Sequence, residues 1–262
     1  SVSDRRVDGR IGRESPHSMT TTMTPARPAE QRTQARPGAP ALKRLYLALE
    51  CGLLYVFFPV WIDIREHTGF LIPFLVVVAV VCFLYLLLDK TFDRRRLWNF
   101  PSFRKHAPRI LLTWLIGFAV MIGFVWFVQG KPWLSDGAQQ NVRLFGMIGE
   151  RTTLWIMIMI LYPLFSVYPQ EIILRTFFFQ RYKPLFTHPA AIIIANGLVF
   201  AWVHVIFQNW IAVVLCIPAG ILFAYTYWSS RSTITSGFEH ALFGNAMWTA
   251  GLGWFFYAGA VQ

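Results

Sequence analysis

Long apolar runs separated by short polar segments dominate this sequence after its first forty residues. A helix needs roughly 20 apolar residues to cross a bilayer, and seven runs approach that length, at about 45–62, 70–88, 110–128, 152–169, 190–208, 210–228 and 240–258. Segments of about ten residues with alternating polarity, which membrane strands require, are not present. The pattern predicts an all-α, polytopic transmembrane helical bundle with about seven crossings, or eight if the apolar segment 170–182 forms a separate helix.

The beginning of the chain has a different character. Residues 1–41 are rich in Arg, Pro, Thr and Ser and lack hydrophobic periodicity. Such a composition cannot bury enough apolar surface to offset the entropy of ordering the chain. We therefore predict a disordered basic tail over residues 1–41, followed by a transmembrane domain over residues 42–262.

Composition supports a membrane protein and argues against a nucleic-acid partner. Hydrophobic residues make up 55% of the chain and charged residues only 14%, whereas soluble domains average about 25% charged residues. The formal net charge of +11 is not spread over a folded surface, because the basic residues concentrate in the tail and in the segment 89–109. Basic clusters beside apolar runs are typical topology signals. The predicted partners are therefore the lipid bilayer and a membrane-associated substrate.

The distribution of Lys and Arg also predicts the orientation. The tail through Arg44 carries nine and the segment 89–109 carries seven, whereas 63–69 holds one and 129–151 holds three. Since cytoplasmic loops are enriched in Lys and Arg, the N-terminus is expected in the cytoplasm and the chain in a plasma membrane.

Ionisable residues inside apolar runs are the most informative feature. Of thirteen acidic residues, only Glu50, Glu171 and Glu239 lie within or at the edge of a predicted span. A charged side chain at the centre of a bilayer costs about 2.5–3.5 kcal/mol on insertion scales, so such residues indicate functional sites by default. Glu171 and Arg175 are four residues apart, which places them on one helical face and predicts an ion pair. That pair alone would also be consistent with a purely structural role.

Two further polar clusters follow on separate runs. Asn196, Phe200 and His204 recur at intervals of four residues and form one helical stripe, and His240 precedes Asn245 in the last run. A single buried His is usually a core residue with its hydrogen bonds satisfied. Two His residues together with Glu171 and an Arg on different runs predict one shared site.

The three clusters together resemble the motif set of the CPBP family (CAAX-processing and bacteriocin-processing, also called Abi) of intramembrane proteases. That family carries Glu-Glu-x-x-x-Arg, Phe-x-x-x-His and His-x-x-x-Asn or Asp on successive transmembrane helices. The corresponding segments here are Gln170–Arg175, Phe200–His204 and the segment beginning at His240, in the same order. The resemblance covers a motif-bearing core at about residues 160–258.

This resemblance implies a water-activating site in which a glutamate is the general base. The histidines and the Asn would orient water or stabilise an oxyanion. Carried over by position, the catalytic residues are Glu171, His204, His240, Arg175, Gln170 and Asn245. The implied substrates are peptide bonds of prenylated, leader-bearing or other membrane-associated proteins in a bacterial plasma membrane.

Two departures from the family pattern change the expected chemistry. Gln170 stands where the family's first Glu stands, and an amide cannot take up a proton near neutral pH. Gly244 occupies the usual Asn position and Asn245 comes one residue later, which moves the amide by about 100° around a helix. We therefore expect Glu171 to act as the base. Glu239 is a second carboxylate candidate, although we interpret it as an interfacial cap of the last helix.

A metal is an alternative way to activate water. Glu171, His204 and His240 would supply three ligands, the number that catalytic zinc sites use while leaving one position open for water. The sequence contains no His-Glu-x-x-His motif, so the leading hypothesis needs no cofactor and zinc is the alternative.

The sequence therefore predicts a glutamic-type intramembrane endopeptidase. The alternative from another class is a catalytically silent relative that binds a membrane partner, and Gln170 is the feature that supports it. A proton-coupled transporter is a third hypothesis, because intramembrane Glu and His also form relays, but the chain lacks a convincing inverted repeat.

Overall fold

In a computed structural model of this chain, the structure describes residues 40–61 and 70–256. These residues are helical with short connections, and strands are absent from them. Residues 1–39 of the predicted tail lie outside the described residues. The first helix begins at Ala41, the last residue of that predicted tail. The all-α fold class is confirmed.

Twelve α-helices form within the described residues. They are α1 (Ala41–Gly52), α2 (Phe58–Trp61), α3 (Leu71–Leu88), α4 (Phe100–Val128), α5 (Asp136–Asn141), α6 (Gly146–Glu150), α7 (Thr152–Tyr162), α8 (Tyr168–Glu171), α9 (Phe178–Tyr182), α10 (Pro189–Val203), α11 (Trp210–Ser230) and α12 (Thr233–Ala250). A π-helical segment, Leu53–Phe57, joins α1 to α2.

Five helical stretches among the described residues are long and apolar enough to cross a membrane. They are Leu71–Leu88, Arg94–Val128, Thr152–Leu185, Pro189–Phe207 and Trp210–Ser230. This number makes the chain a multi-pass membrane protein and accounts for five of the seven predicted crossings. The other two predicted runs are also helical, in residues 41–61 and in α12, but they are not among these five.

The segment 170–182 continues the preceding helix and does not form a separate one. Residues Thr152–Leu185 form one helical stretch of 34 residues, which we call the motif helix. Two π-helical segments interrupt it, Pro163–Val167 and Ile172–Phe177. Proline lacks the N–H that an α-helix requires from its interior residues, so Pro163 and Pro169 are accommodated beside widened turns, and neither ends the helix.

The basic segment predicted as a loop over residues 89–109 is mostly helical. Asp93 caps a short 3₁₀ turn, Arg94–Leu97, and Asn99 caps α4 by accepting a hydrogen bond from the Ser102 N–H. Pro101 lies in the first turn of α4, where its missing N–H costs nothing. The predicted loop was too long because the first turns of α4 carry basic residues, which interrupt the hydrophobic pattern from which the start of the helix was predicted.

Helix α12 lies inside the bundle, against α4, α11 and the motif helix. Its buried positions include the polar residues Thr233, Thr235, Ser236, Glu239 and His240. A helix with this many polar residues is stable at membrane depth only where neighbouring helices cover it.

Helices α10 and α11 pack closely because glycines face each other at their crossing. A Cβ on Gly220 would approach the carbonyl oxygen of Gly197 to 2.6 Å, and a Cβ on Gly197 would approach the backbone N of Ile221 to 2.7 Å. Small residues allow such backbone approach in membrane bundles. The close packing brings Phe200 on α10 beside Phe223 on α11, with ring centroids 5.7 Å apart.

Candidate active site

The three motif segments meet at one cavity in the bundle. Its volume is about 1490 Å³, and helices α3, α7, α10, α11 and α12 contribute most of its lining. Four residues of the three predicted motifs line it: Gln170, Phe200, His204 and His240. The remaining lining is largely aliphatic and aromatic, so the polar side chains of the motifs face an apolar cavity.

Glu171 and Arg175 do not line the cavity, and both are fully buried. Arg175 Nε is 3.8 Å from Glu171 Oε1, which is the predicted ion pair. Arg175 also donates a hydrogen bond of 2.8 Å to Asn196 Oδ1, and its guanidinium carbon lies 4.7 Å from the ring centroid of Phe200. The opposite charges of this buried pair stabilise each other at membrane depth, although Glu171 Oε2 and Arg175 Nε have no hydrogen-bond partner among the described residues. The stripe predicted on α10 therefore holds Arg175 in place.

Glu171 also contacts His240. The distance from Glu171 Oε1 to His240 Nδ1 is 3.0 Å, and both side chains are almost inaccessible to solvent. A carboxylate can only accept, so Nδ1 carries the proton in this hydrogen bond and Nε2 is the unprotonated nitrogen of a neutral ring. His240, but not Glu171, lines the cavity. A carboxylate–imidazole pair thus presents a basic nitrogen at the cavity wall.

His204 is oriented by its own helix. Its Nδ1 lies 2.7 Å from the carbonyl oxygen of Phe200. Because a carbonyl only accepts, Nδ1 again carries the proton and Nε2 is free. The Phe200 ring packs against both histidines, with centroids 4.7 Å from His204 and 5.2 Å from His240. The spacing Phe-x-x-x-His therefore places one aromatic ring between two imidazoles.

Aromatic packing also fixes the plane of His240. Phe223 stacks on its ring with centroids 4.8 Å apart and planes 21° apart. Together with the hydrogen bond to Glu171, this stacking restricts the ring to one orientation. Sequence reasoning missed Phe223, since one Phe in an apolar run carries no distinguishing signal.

A polar stripe on the motif helix was also missed. Tyr162, Ser166 and Gln170 recur at intervals of four residues and all line the cavity. The amide nitrogen of Gln170 donates to Ser166 Oγ at 2.9 Å, and the Tyr162 hydroxyl lies 3.5 Å from His240 Nε2. The four-residue spacing inside an apolar run was a readable signal for this stripe.

Tyr162 also explains the altered third motif. A Cβ at Gly244 would collide with the ring and hydroxyl of Tyr162. Gly244 therefore makes room for a phenol beside His240, where the family pattern has an amide. Asn245 points elsewhere: its Nδ2 donates to the carbonyl oxygen of Met159 at 3.2 Å. Asn245 is not among the cavity-lining residues, whereas Gly244 is.

The interpretation of Glu239 as an interfacial cap is wrong. Glu239 is the seventh residue of α12 and is fully buried. Its Oε1 lies 3.6 Å from Arg109 on α4, and it does not line the cavity. An N-cap residue lies directly before the first residue of a helix, and the last helix begins at Thr233, earlier than the hydropathy pattern indicated.

The zinc alternative requires three ligands around one point. Among the described residues, no group of three His, Cys, Asp or Glu side chains is arranged so that it could hold a metal ion. Glu171 and His240 instead share a hydrogen bond, and His204 bonds to a backbone carbonyl.

Comparison with known proteins gives one match. The family described as Type II CAAX prenyl endopeptidase Rce1-like matches residues 152–247. These residues include the motif helix from its start, α10, α11 and most of α12, and the match confirms the resemblance to the CPBP family. It indicates a protease of the CAAX-processing type. No curated protein and no solved structure matches the chain.

Proposed function

We propose that this protein is an intramembrane endopeptidase that cleaves a peptide bond of a membrane-associated protein, such as a prenylated or leader-bearing one, in a bacterial plasma membrane. The observation that carries the proposal is the Glu171–His240 pair, 3.0 Å between Oε1 and Nδ1, at the wall of a large apolar cavity. A peptide bond carried by an apolar segment would reach this pair without leaving the bilayer.

We assign the general base to His240. Glu171 remains essential, but it acts through the imidazole, because it is fully buried and does not line the cavity. When Nε2 of His240 removes a proton from water, the positive charge on the ring is stabilised by the Glu171 carboxylate. If His240 is the base, the residue at position 170 does not need to accept a proton, so an amide at this position is compatible with catalysis.

The other groups at the cavity suit the later steps. The imidazolium of His240 can return the proton taken from water to the leaving amine as the C–N bond breaks. His204 also lines the cavity, and its Nε2, which is not used in the bond to Phe200, can hold water beside His240. The amide N–H of Gln170 and the hydroxyl of Tyr162 are the neutral donors available for the oxyanion of the tetrahedral intermediate. Arg175 and Asn196 keep Glu171 ionised and positioned.

We infer that no metal takes part, with zinc bound by Glu171, His204 and His240 as the alternative. The proposed base, its orienting carboxylate and two neutral donors supply the elements that hydrolysis needs. Turnover in the presence of a zinc chelator distinguishes the two.

We also propose seven crossings with a cytoplasmic N-terminus. The helical residues 41–61 and α12 span about 30 Å and about 27 Å at 1.5 Å per residue, close to the thickness of the hydrocarbon core. Reporter fusions after residues 88, 128 and 230 test this orientation. Reporter activity on the same side of the membrane at 88 and 128 would contradict it.

The experiment that tests the function needs no known substrate. Protein termini in membranes are compared by mass spectrometry between cells that express wild type, His240→Ala or Glu171→Gln at equal levels. His188→Ala is the control, because His188 is an exposed residue preceding α10. New termini present with wild type and the control, and absent with both site variants, are expected.

Identical termini in all four strains would contradict the proposal and favour the silent partner-binding relative. Family similarity to an endopeptidase does not favour that alternative. The two histidines that line one cavity also argue for chemistry at this place.

A further inference from the structure

The turn between α11 and α12 brings two arginines together at the end of a membrane crossing. Arg231 and Ser232 form this turn, and Thr233 is the first residue of α12. The hydroxyl of Thr233 donates to the carbonyl oxygen of Arg96, in the 3₁₀ turn Arg94–Leu97, at 3.2 Å. The two arginines are close enough for the charge of Arg96 to act on Arg231. None of these residues lines the apolar cavity, so the cluster is separate from the candidate active site.

No carboxylate balances the two guanidinium groups. Arg96 and Arg231 are both partly buried, and neither forms an ion pair among the residues that the structure describes. The guanidinium of Arg231 lies 4.1 Å from the ring centroid of Trp228, which holds it at the turn. Burial lowers the pKa of Arg231, and the positive charge of Arg96 lowers that pKa further. A bound anion would remove the repulsion between these two like charges.

The backbone at Arg231 has a conformation that favours glycine. Its φ is +51°, in the left-handed region, and its N–H donates to the carbonyl oxygen of Tyr227 at 2.8 Å to close the last turn of α11. Glycine adopts this conformation at the end of a helix more easily than a residue with a Cβ atom. The backbone alone therefore does not account for the arginine at this position.

The first turn of α12 adds unpaired donors beside these charges. The first N–H groups of a helix have no acceptor within the helix, and an N-cap serine normally accepts a hydrogen bond from one of them. Ser232 is the N-cap of α12, but its side chain forms no capping bond. Its hydroxyl is fully buried and has no partner in the described part of the chain. Free N–H groups and the positive end of the helix dipole favour a bound anion here.

The arrangement of the donors selects a phosphate group. They come from three elements, namely the 3₁₀ turn, the turn between α11 and α12, and the first turn of α12. Arginine guanidinium groups bind phosphate oxygens in pairs, and a tetrahedral phosphate presents oxygens in several directions, whereas a planar carboxylate has only two. The apolar crossing of α11 ends at Ser230, which places the cluster at the depth of phospholipid headgroups.

We propose that Arg96, Arg231, Ser232 and the N-terminus of α12 form a binding site for a phosphate group, supplied by an anionic phospholipid or by free phosphate. The bound group neutralises both arginines and accepts hydrogen bonds from the helix end. It thereby joins the 3₁₀ turn before α4 to the start of α12. This inference does not depend on the proposed function.

Thermal unfolding of the purified, delipidated full chain in detergent tests the proposal, because a ligand that binds the folded state raises the thermal midpoint. The probes are phosphatidylglycerol, a diacylglycerol with the same acyl chains and inorganic phosphate, at constant ionic strength. We expect phosphatidylglycerol to raise the midpoint and diacylglycerol to leave it unchanged. A rise with phosphatidylglycerol alone identifies the headgroup as the source, and a rise with inorganic phosphate shows that the free anion also binds. No rise with either would overturn the proposal.

Matched variants locate the site. Arg96→Gln with Arg231→Gln should weaken binding of the stabilising probe at least tenfold. Arg104→Gln with Lys105→Gln removes the same charge from two exposed residues of α4 and should weaken binding less than twofold. Equal weakening by both pairs would indicate a general attraction between charges and would overturn the proposal, as would wild-type affinity in the first pair.

A single variant keeps the test decisive if the first pair does not fold. Arg231→Gly removes one guanidinium and suits the left-handed backbone, so the protein should fold while binding the probe several-fold more weakly. Wild-type affinity in Arg231→Gly would overturn the proposal.

Discussion

Two buried carboxylates, Glu171 on the motif helix beside α12 and Glu239 on α12 itself, have different surroundings. Glu171 contacts Arg175 and His240, and His240 lines the cavity with its Nε2 3.5 Å from the Tyr162 hydroxyl. Glu239 contacts Arg109, with 3.6 Å between its Oε1 and the guanidinium, and it does not line the cavity. Only Glu171 is linked by a proton-carrying side chain, His240, to the cavity in which we propose that a substrate binds.

The comparison also shows that adjacency in sequence is a weak guide inside a helix. Glu239 and His240 are neighbours, but successive residues point about 100° apart. Glu171, 69 residues before His240, is the carboxylate that His240 bonds. The first carboxylate belongs to the candidate active site and the second to an ion pair with Arg109 on α4.

The largest expected effect separates the two carboxylates by activity. We expect His240→Ala and Glu171→Gln each to reduce turnover by ~10²–10⁴, the range for loss of general base catalysis. Glu239→Gln should change turnover by less than about tenfold, or about 1.4 kcal/mol. Product formation on a substrate found by terminus mapping measures all three. Equal losses of turnover in Glu171→Gln and Glu239→Gln would contradict the different roles assigned to the two carboxylates.

A second expected effect concerns stability. Arg175→Met leaves Glu171 as an unpaired buried charge, and breaking a buried pair costs about 3–5 kcal/mol. The thermal midpoint of the purified protein in detergent should fall sharply. Arg175→Met with Glu171→Leu removes both charges and should recover most of the stability while turnover stays absent. A single variant as stable as wild type would mean that the pair contributes little.

Tyr162 offers a smaller test of the active-site face. Tyr162→Phe removes the hydroxyl that lies 3.5 Å from His240 Nε2 and keeps the ring that packs on Gly244. If this hydroxyl helps to stabilise the oxyanion, turnover should fall by up to about 10², the lower end of the range for loss of one such donor. The substrate concentration at half-maximal rate should change little. Unchanged turnover would leave Gln170 as the donor.

The smallest expected effect is that of a chelator. Incubation with a zinc chelator should leave wild-type turnover unchanged, because the proposed mechanism uses only side chains. Loss of turnover that added zinc restores would support the alternative ligand set of Glu171, His204 and His240. The chelator-treated Glu239→Gln variant serves as a control for nonspecific effects on the membrane.

Much of the site was predictable because polar residues in apolar runs are few. Glu171, Arg175, His204 and His240 stood out at once, and the i,i+4 spacing predicted the ion pair that the structure contains. Ser166 and Tyr162 were missed, although their spacing from Gln170 carried the signal. Glu239 was misread because the hydropathy pattern starts the last helix too late.

The sequence by itself determined the class of this protein. Apolar length specifies membrane helices, since the bilayer leaves few other structures possible, and the ordered polar clusters indicate the family. Tertiary structure alone decided which carboxylate meets which histidine, that Tyr162 takes the space beside Gly244, and that Glu239 pairs with Arg109. These are contacts between helices that are far apart in the sequence. Hydropathy and residue spacing describe each helix separately and do not specify how it is rotated relative to its neighbours.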